Sequence, residues 1–267
     1  MRRPTARIAV TAVGGLLLAA SLFAQNNYQF SDPNVEDLFR YARMGAGGGA
    51  VSKLKALQLK GRSRVDMGGS LLDCSVDIKI LLPDHYLRVD ATKTDSKLAG
   101  YAGKTVLSAI RSGDNLSTPP DNLTSTILKN ERTRLARLLL GAITYVTPDV
   151  SMVFHSAGLV AGMVDPRNSA RTAATASGNA IPNTADINSP DGFKARIIFD
   201  STDRMPLTLL YPGSPQEETM TFTDRRDVGG LKVPFHVTTT AGGRVIDDLI
   251  FESVLVNPEI GKGDFKR

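Results

Sequence analysis

The chain has 267 residues, of which 42% are apolar and 22% charged, enough for a substantial core and too apolar for global disorder. Its formal charge is +5, but Arg2, Arg3 and Arg7 stand in a removable amino-terminal segment and +2 remains without them; that balance draws no nucleic acid partner. The lone cysteine, Cys74, excludes an internal disulfide and a thiolate metal cluster. The lack of tryptophan, with 6% aromatics, removes a stacking platform for bases or sugars.

Arg2, Arg3 and Arg7 precede an uncharged run from Ile8 to Phe23, then Ala24 and the polar Gln25, Asn26 and Asn27. Charged start, apolar middle and small-residue exit are the parts of a secretory signal peptide, and the run is short for a spanning helix. The expectation is a signal peptide over 1–24 and a single domain over 25–267, delivered to the periplasm or cell exterior. The competing reading of the segment is an uncleaved anchor. A lone cysteine suits an oxidising compartment, and no second stretch of spanning length follows, so no stable transmembrane span is expected after cleavage.

Asp32-Pro33 is a helix-start signal, with Val35, Leu38, Phe39 and Ala42 on one face of a helix to about Met44. The glycines from Gly45 to Gly49 interrupt it, and Ala50, Val51, Leu54 and Leu57 restart an apolar face. From Leu57 the period becomes two: Leu59, Gly61, Ser63 and Val65 against Gln58, Lys60, Arg62 and Arg64. Strands follow from Cys74 to Leu82, with Cys74 expected as a small buried residue, from His85 to Ala91, and around Thr105 to Ile110. In the third strand Leu87 and Val89 oppose Arg88 and Asp90, which puts the apolar pair inside.

Thr118-Pro119-Pro120-Asp121 starts a helix reaching about Ile143, with Leu123, Ile127, Leu128, Leu135, Leu138 and Leu139 as its apolar stripe. Lys129, Arg132, Arg134 and Arg137 lie opposite and read as a solvated basic face. The stretch from Val164 to Pro182 lacks periodicity and reads as a flexible loop. Strands resume at Thr184 to Asn188, Phe193 to Asp200, Leu207 to Tyr211, Glu218 to Asp227, Leu231 to Thr240 and Arg244 to Val256, with glycine pairs at the later turns. The fold class expected is α+β, mainly β: an incomplete antiparallel barrel, a curled sheet of about ten strands, with helices covering its opening.

No catalytic constellation assembles. The Gly45 to Gly49 run lacks the Lys-Ser or Lys-Thr of a phosphate loop and follows a helix where that loop follows a strand; it reads as a lid hinge. Asp247 and Asp248 are adjacent on a strand and so point to opposite faces. His85, His155 and His236 are scattered. The reading is not an enzyme, with no catalytic residue, no metal site and no cofactor.

Two carboxy-terminal stretches carry a resemblance. Gly192-Phe193-Lys194-Ala195-Arg196 leads to Asp200, Thr202 and Pro206, and Phe222-Thr223-Asp224-Arg225-Arg226-Asp227-Val228-Gly229-Gly230-Leu231-Lys232-Val233-Pro234-Phe235 follows. With the export signal, the helix ending in glycines and the Leu-Lys-Gly-Arg strand, the chain from about Asp32 onward resembles the LolA/LolB-like family of outer-membrane lipoprotein-sorting and lipid-carrying proteins. The resemblance implies a half-barrel whose apolar cavity, roofed by helices, receives lipid or lipoprotein acyl chains, and a membrane-bound donor or acceptor protein as partner. The lipid-binding side chains expected to line that interior are Leu59, Val65, Val76, Ile78, Ile80, Val89, Ile197, Phe199, Leu209, Phe222, Phe235 and Phe251. The expected function is a periplasmic lipid or lipoprotein carrier. The alternative is an envelope sensor or interaction module that uses the same fold without transport.

Overall fold

The computed structural model describes residues 28–66, 71–157, 183–213 and 216–266. The expected signal peptide and the 164–182 loop lie outside the described residues.

Chain order begins with a short strand β1 (Tyr28–Phe30), helix α1 (Pro33–Gly45) and a single helical turn α2 (Gly49–Ser52). The first run of strands is β2 (Ala56–Asp66), β3 (Leu71–Leu81), β4 (His85–Ala91), β5 (Asp95–Ala102), β6 (Thr105–Val106), β7 (Ala109–Ser112) and β8 (Asn115–Ser117). Helix α3 (Thr124–Ile143) leads to β9 (Met152–Ser156), β10 (Thr184–Asn188), β11 (Lys194–Phe199), β12 (Pro206–Tyr211), β13 (Glu218–Val228), β14 (Leu231–Ala241) and β15 (Arg244–Val256).

The fifteen strands of the described residues join one sheet that does not close, in the order β1-β9-β10-β11-β12-β13-β14-β15-β2-β3-β4-β5-β7-β8, with β6 on β5. Among the described strands only the β1–β9 pair is parallel. The expected curled, unclosed, mainly antiparallel sheet is what forms. Its centre is the β15–β2 pairing, Asp247 opposite Val65 through Val256 opposite Leu57, which joins the two ends of the chain. Register shifts at Ile198/Phe199, Thr239/Thr240 and Phe251/Ser253 add the local twist that lets so wide a sheet curl.

Asp32 caps α1: its Oδ1 accepts the backbone N–H of Asn34 at 3.0 Å and of Val35 at 3.1 Å, satisfying donors the first helical turn leaves over. The buried stripe of Val35, Leu38, Phe39 and Ala42 then meets β1 and β9, where the Phe39 ring lies 4.8 Å from Phe154 and 5.6 Å from Phe30. The glycines after α1 have a packing role here. A Cβ on Gly47, whose φ is +125°, would sit 2.3 Å from the Gly230 carbonyl, and Lys232 N–H donates to Ala46 at 3.0 Å.

Helix α3 lies within the curl, touching β5, β6, β12 and β14. Leu135, Leu139, Leu140 and Ile143 in its carboxy-terminal half are at most 1% exposed. At ~1.5–3 kcal/mol per side chain, those four contribute ~6–12 kcal/mol of gross burial, as much as the net stability of a whole domain. Gly141 lets this half sit directly on β13, since a Cβ there would lie 2.0 Å from the Phe222 ring. Arg225 of β13 donates to the carbonyls of Ala142 at 2.6 Å, Gly141 at 3.1 Å and Pro206, tying off carbonyls at the helix end. Burial pushes the Arg225 guanidinium down to about 10, with Asp203 opposing. The amino-terminal half is different: Ser125, Thr126, Lys129 and Asn130 are exposed.

Candidate functional site

The chemistry-bearing part of the curl is the space beside the amino-terminal half of α3. A cavity of about 1110 Å³ separates part of α3 from the concave face, just above the usual range for small-molecule sites. Ile78, Ala99, Leu138, Met220, Val237 and Leu249 give it apolar walls, and Arg88, Asp90, Lys97, Arg134, Arg137, Glu218, Arg244 and Asp247 bring charge. A second cleft of about 580 Å³ lies on another side of α3, bounded by Leu128, Lys129, Arg132, Arg137, Asp149 and Phe193 among others.

The cavity floor is a buried ion cluster. Arg88, 5% exposed, donates from Nε to Asp90 Oδ2 at 2.8 Å and from Nη2 to Asp90 Oδ1 at 3.0 Å. It also donates from Nη2 to Asp247 Oδ1 at 2.9 Å and from Nη1 to Oδ2. Ser63 Oγ donates to Asp90 Oδ1 at 2.6 Å. Burial alone would lower the Arg88 pKa, but the charge of Asp247 and Asp90 outweighs it and holds the guanidinium well above its ordinary value. Between Arg88 on β4 and Asp247 on β15 lie β2 and β3. Three strand spacings in a flat sheet are about 14 Å, further than these two side chains span, so the cluster exists only because the sheet curls and it fastens that curl.

The twelve expected lining residues divide on this frame. Leu59, Val76, Ile78, Ile80, Ile197, Phe199, Leu209, Phe222, Phe235 and Phe251 all belong to the main core cluster, together with the apolar faces of α1 and α3. Of the twelve, only Val65 and Ile78 border the large cavity. Leu59, Ile80 and Phe251 meet Leu139, Ala142 and Ile143 around a void of about 10 Å³, too small for a ligand. Val89 is the clear correction: it packs with Leu87, Leu107 and Phe265 in a separate cluster. Arg88 and Asp90 take the concave side of β4 because Asp247 pairs with Arg88 there and Ser63 with Asp90. The carboxy-terminal Phe265 covers the residues that would otherwise meet water.

The expected apolar cavity is therefore corrected. The helices fill its apolar part, and its open part mixes apolar walls with ion pairs. Of the four basic residues of α3 read as solvated, Lys129 and Arg134 are exposed, whereas Arg132 and Arg137 are half-buried. All four border the clefts: Arg134 and Arg137 the larger, Lys129, Arg132 and Arg137 the smaller. Arg132 lies 5.6 Å from the Tyr101 ring and donates to Gly103 O at 3.1 Å; Arg137 stacks 3.6 Å from the Tyr211 ring centre. Their spacing at 134 and 137, one helical turn apart, was the available signal, but it acquires meaning only once a sheet wraps the helix.

No family model matches the chain, and no curated protein matches it. The fold is shared with a solved protein. The chain is similar to a DUF1329 family protein from Desulfovibrio piger, with a TM-score of 0.53 at 9% identity over 88% of this chain and 98% of that one. At that identity the likeness is one of fold. A LolA superfamily protein from Nitrosomonas europaea has a TM-score of 0.49 at 9% identity, over 87% of this chain and 97% of that one. An outer membrane lipoprotein-sorting protein domain from Vibrio parahaemolyticus has 0.46 at 10%, again over 87% and 97%. Among the described residues no helix is long and apolar enough to cross a membrane.

Proposed function

We propose that this chain is an exported carrier of amphiphiles, lipids or the acyl chains of lipoproteins, working in the periplasm and loading its cargo in the cavity between α3 and the concave sheet. The observation that carries this reading is the cavity itself: about 1110 Å³, open, and walled on one side by Ile78, Met220, Val237 and Leu249. Each methylene moved from water onto such a wall gains up to ~0.8 kcal/mol, so a tail laid along it binds without any chemistry. The leader-like amino terminus and the sequence resemblance to lipid carriers support the same reading.

Packing decides which part of α3 gates the cavity. The carboxy-terminal half is held by four fully buried side chains and the Arg225 contacts, whereas the amino-terminal half has a cleft on each of two sides. Loading therefore proceeds by movement of the 124–134 segment about a fixed 135–143 anchor. Delipidated, refolded protein is expected to take up a fluorescent fatty acid to saturation near one per chain. A titration with no saturable uptake removes the carrier reading.

A further inference from the structure

Resting on the reading that the cavity takes an amphiphile, we infer that it selects an anionic head group, a phosphate or carboxylate, held by Arg137 and Arg134 where α3 crosses the cavity mouth, with the tail along the apolar wall.

Three observations place the anion there. Arg137 is half-buried, stacked on Tyr211 and hydrogen-bonded with it, which fixes the plane of its guanidinium. Its Nε is buried and has no hydrogen-bond partner, and no carboxylate of the described residues forms an ion pair with it. Arg134, one turn away, borders the same cavity with its side chain 45% exposed; Glu131 approaches it at 3.3 Å and leaves most of its donors open. A planar guanidinium with two parallel N–H groups matches the oxygens of a phosphate or carboxylate. Burial pushes the Arg137 guanidinium below its ordinary value, with Tyr211 and Glu218 opposing; an arriving anion restores what burial removed.

The other charges facing the cavity do not undo this. Asp90 and Asp247 are both engaged by Arg88 on the floor. Glu218 acts on Tyr211 and Arg137 together, and Lys97 and Arg244 add positive charge to the same walls. A cationic head group has no comparably exposed carboxylate pair to meet.

The test compares one tail with different heads. Binding of decyl phosphate, decanol, decyltrimethylammonium and inorganic phosphate to the full chain is measured by calorimetry below micelle formation, for the native protein and for Arg137→Gln. Decyl phosphate is expected to bind about 10- to 100-fold more tightly than decanol, the range for one or two charge-assisted hydrogen bonds. Arg137→Gln is expected to cut decyl phosphate binding by about tenfold or more, and a cooperative urea transition shows that the variant is folded. Equal affinity for decanol and decyl phosphate overturns the head-group site and leaves the carrier reading intact. Inorganic phosphate binding as tightly as decyl phosphate overturns it in favour of a free-anion site. If no decyl compound binds, the carrier reading fails first and the head-group site with it.

Discussion

Replacing Arg88 with methionine is expected to cost about 3–5 kcal/mol of stability, because it leaves the buried Asp90 and the partly buried Asp247 without their counter-charge. The size comes from the loss of one partner, not from the worth of the cluster: Asp90 is 7% exposed, and both carboxylates direct hydrogen-bonding oxygens at the guanidinium that has gone. The triple variant Arg88→Met, Asp90→Asn, Asp247→Asn is expected to regain most of the loss, since no net charge is then left in the floor. Urea denaturation of the three proteins checks this. A single variant within about 1 kcal/mol of the parent would show that the floor is wetter, and the curl less dependent on it, than the geometry implies.

The second large effect lies where α3 sits on β13. Alanine for glycine inside a helix ordinarily stabilises by about 1 kcal/mol. At Gly141 the sign should reverse, because the added carbon lies 2.0 Å from the Phe222 ring; overpacking of this kind costs about 1–3 kcal/mol. Phe222→Ala removes a side chain that is 1% exposed and is expected to cost about 3–5 kcal/mol. The double variant should lose clearly less than the two single losses added together, as the new methyl enters the space the ring has left. A double-mutant cycle reads that coupling directly. Strict additivity would mean that α3 does not rest on Phe222, and the fixed-anchor account of gating would go with it.

Much of the scaffold was legible in the residues because local signals and tertiary packing agree there. Asp32-Pro33 sets the start of α1 and its apolar stripe is the face that is buried. Gly229-Gly230 and Gly242-Gly243 each have positive φ at both positions, as two-residue hairpins with this twist require. The alternation from Leu57 to Val65 also puts the expected residues inward. Strand β5 went unread because Asp95-Ser96-Lys97-Leu98-Ala99-Gly100 does not alternate. In β15, Leu249 and Phe251 are buried, but so is Val254, while Leu255 is 48% exposed. The register shift at Phe251/Ser253 reverses the faces mid-strand.

The site was less legible, for a reason that recurs. On β4, and on α3, polar side chains were assigned to water because an amphipathic element normally turns them there. The concave face of β4 and the helix α3 both lie within the curl, so Arg88 turns to Asp247 on β15, Asp90 to Ser63 on β2 and Arg137 to Tyr211. Such pairings join residues far apart in sequence, and no local pattern reports them. The apolar residues were found readily but most of them serve as core. The basic ones, set aside as solvated surface, border the space a ligand would enter.

That space can be interrogated by its own occupant. A fatty acid carrying a photoreactive diazirine in its tail, bound to the full chain and irradiated, should label peptides containing Leu138, Met220, Val237 and Leu249, and free unlabelled fatty acid should suppress the signal. Labelling spread over the convex face, or adducts that survive competition, would contradict an acyl tail lying between α3 and the sheet.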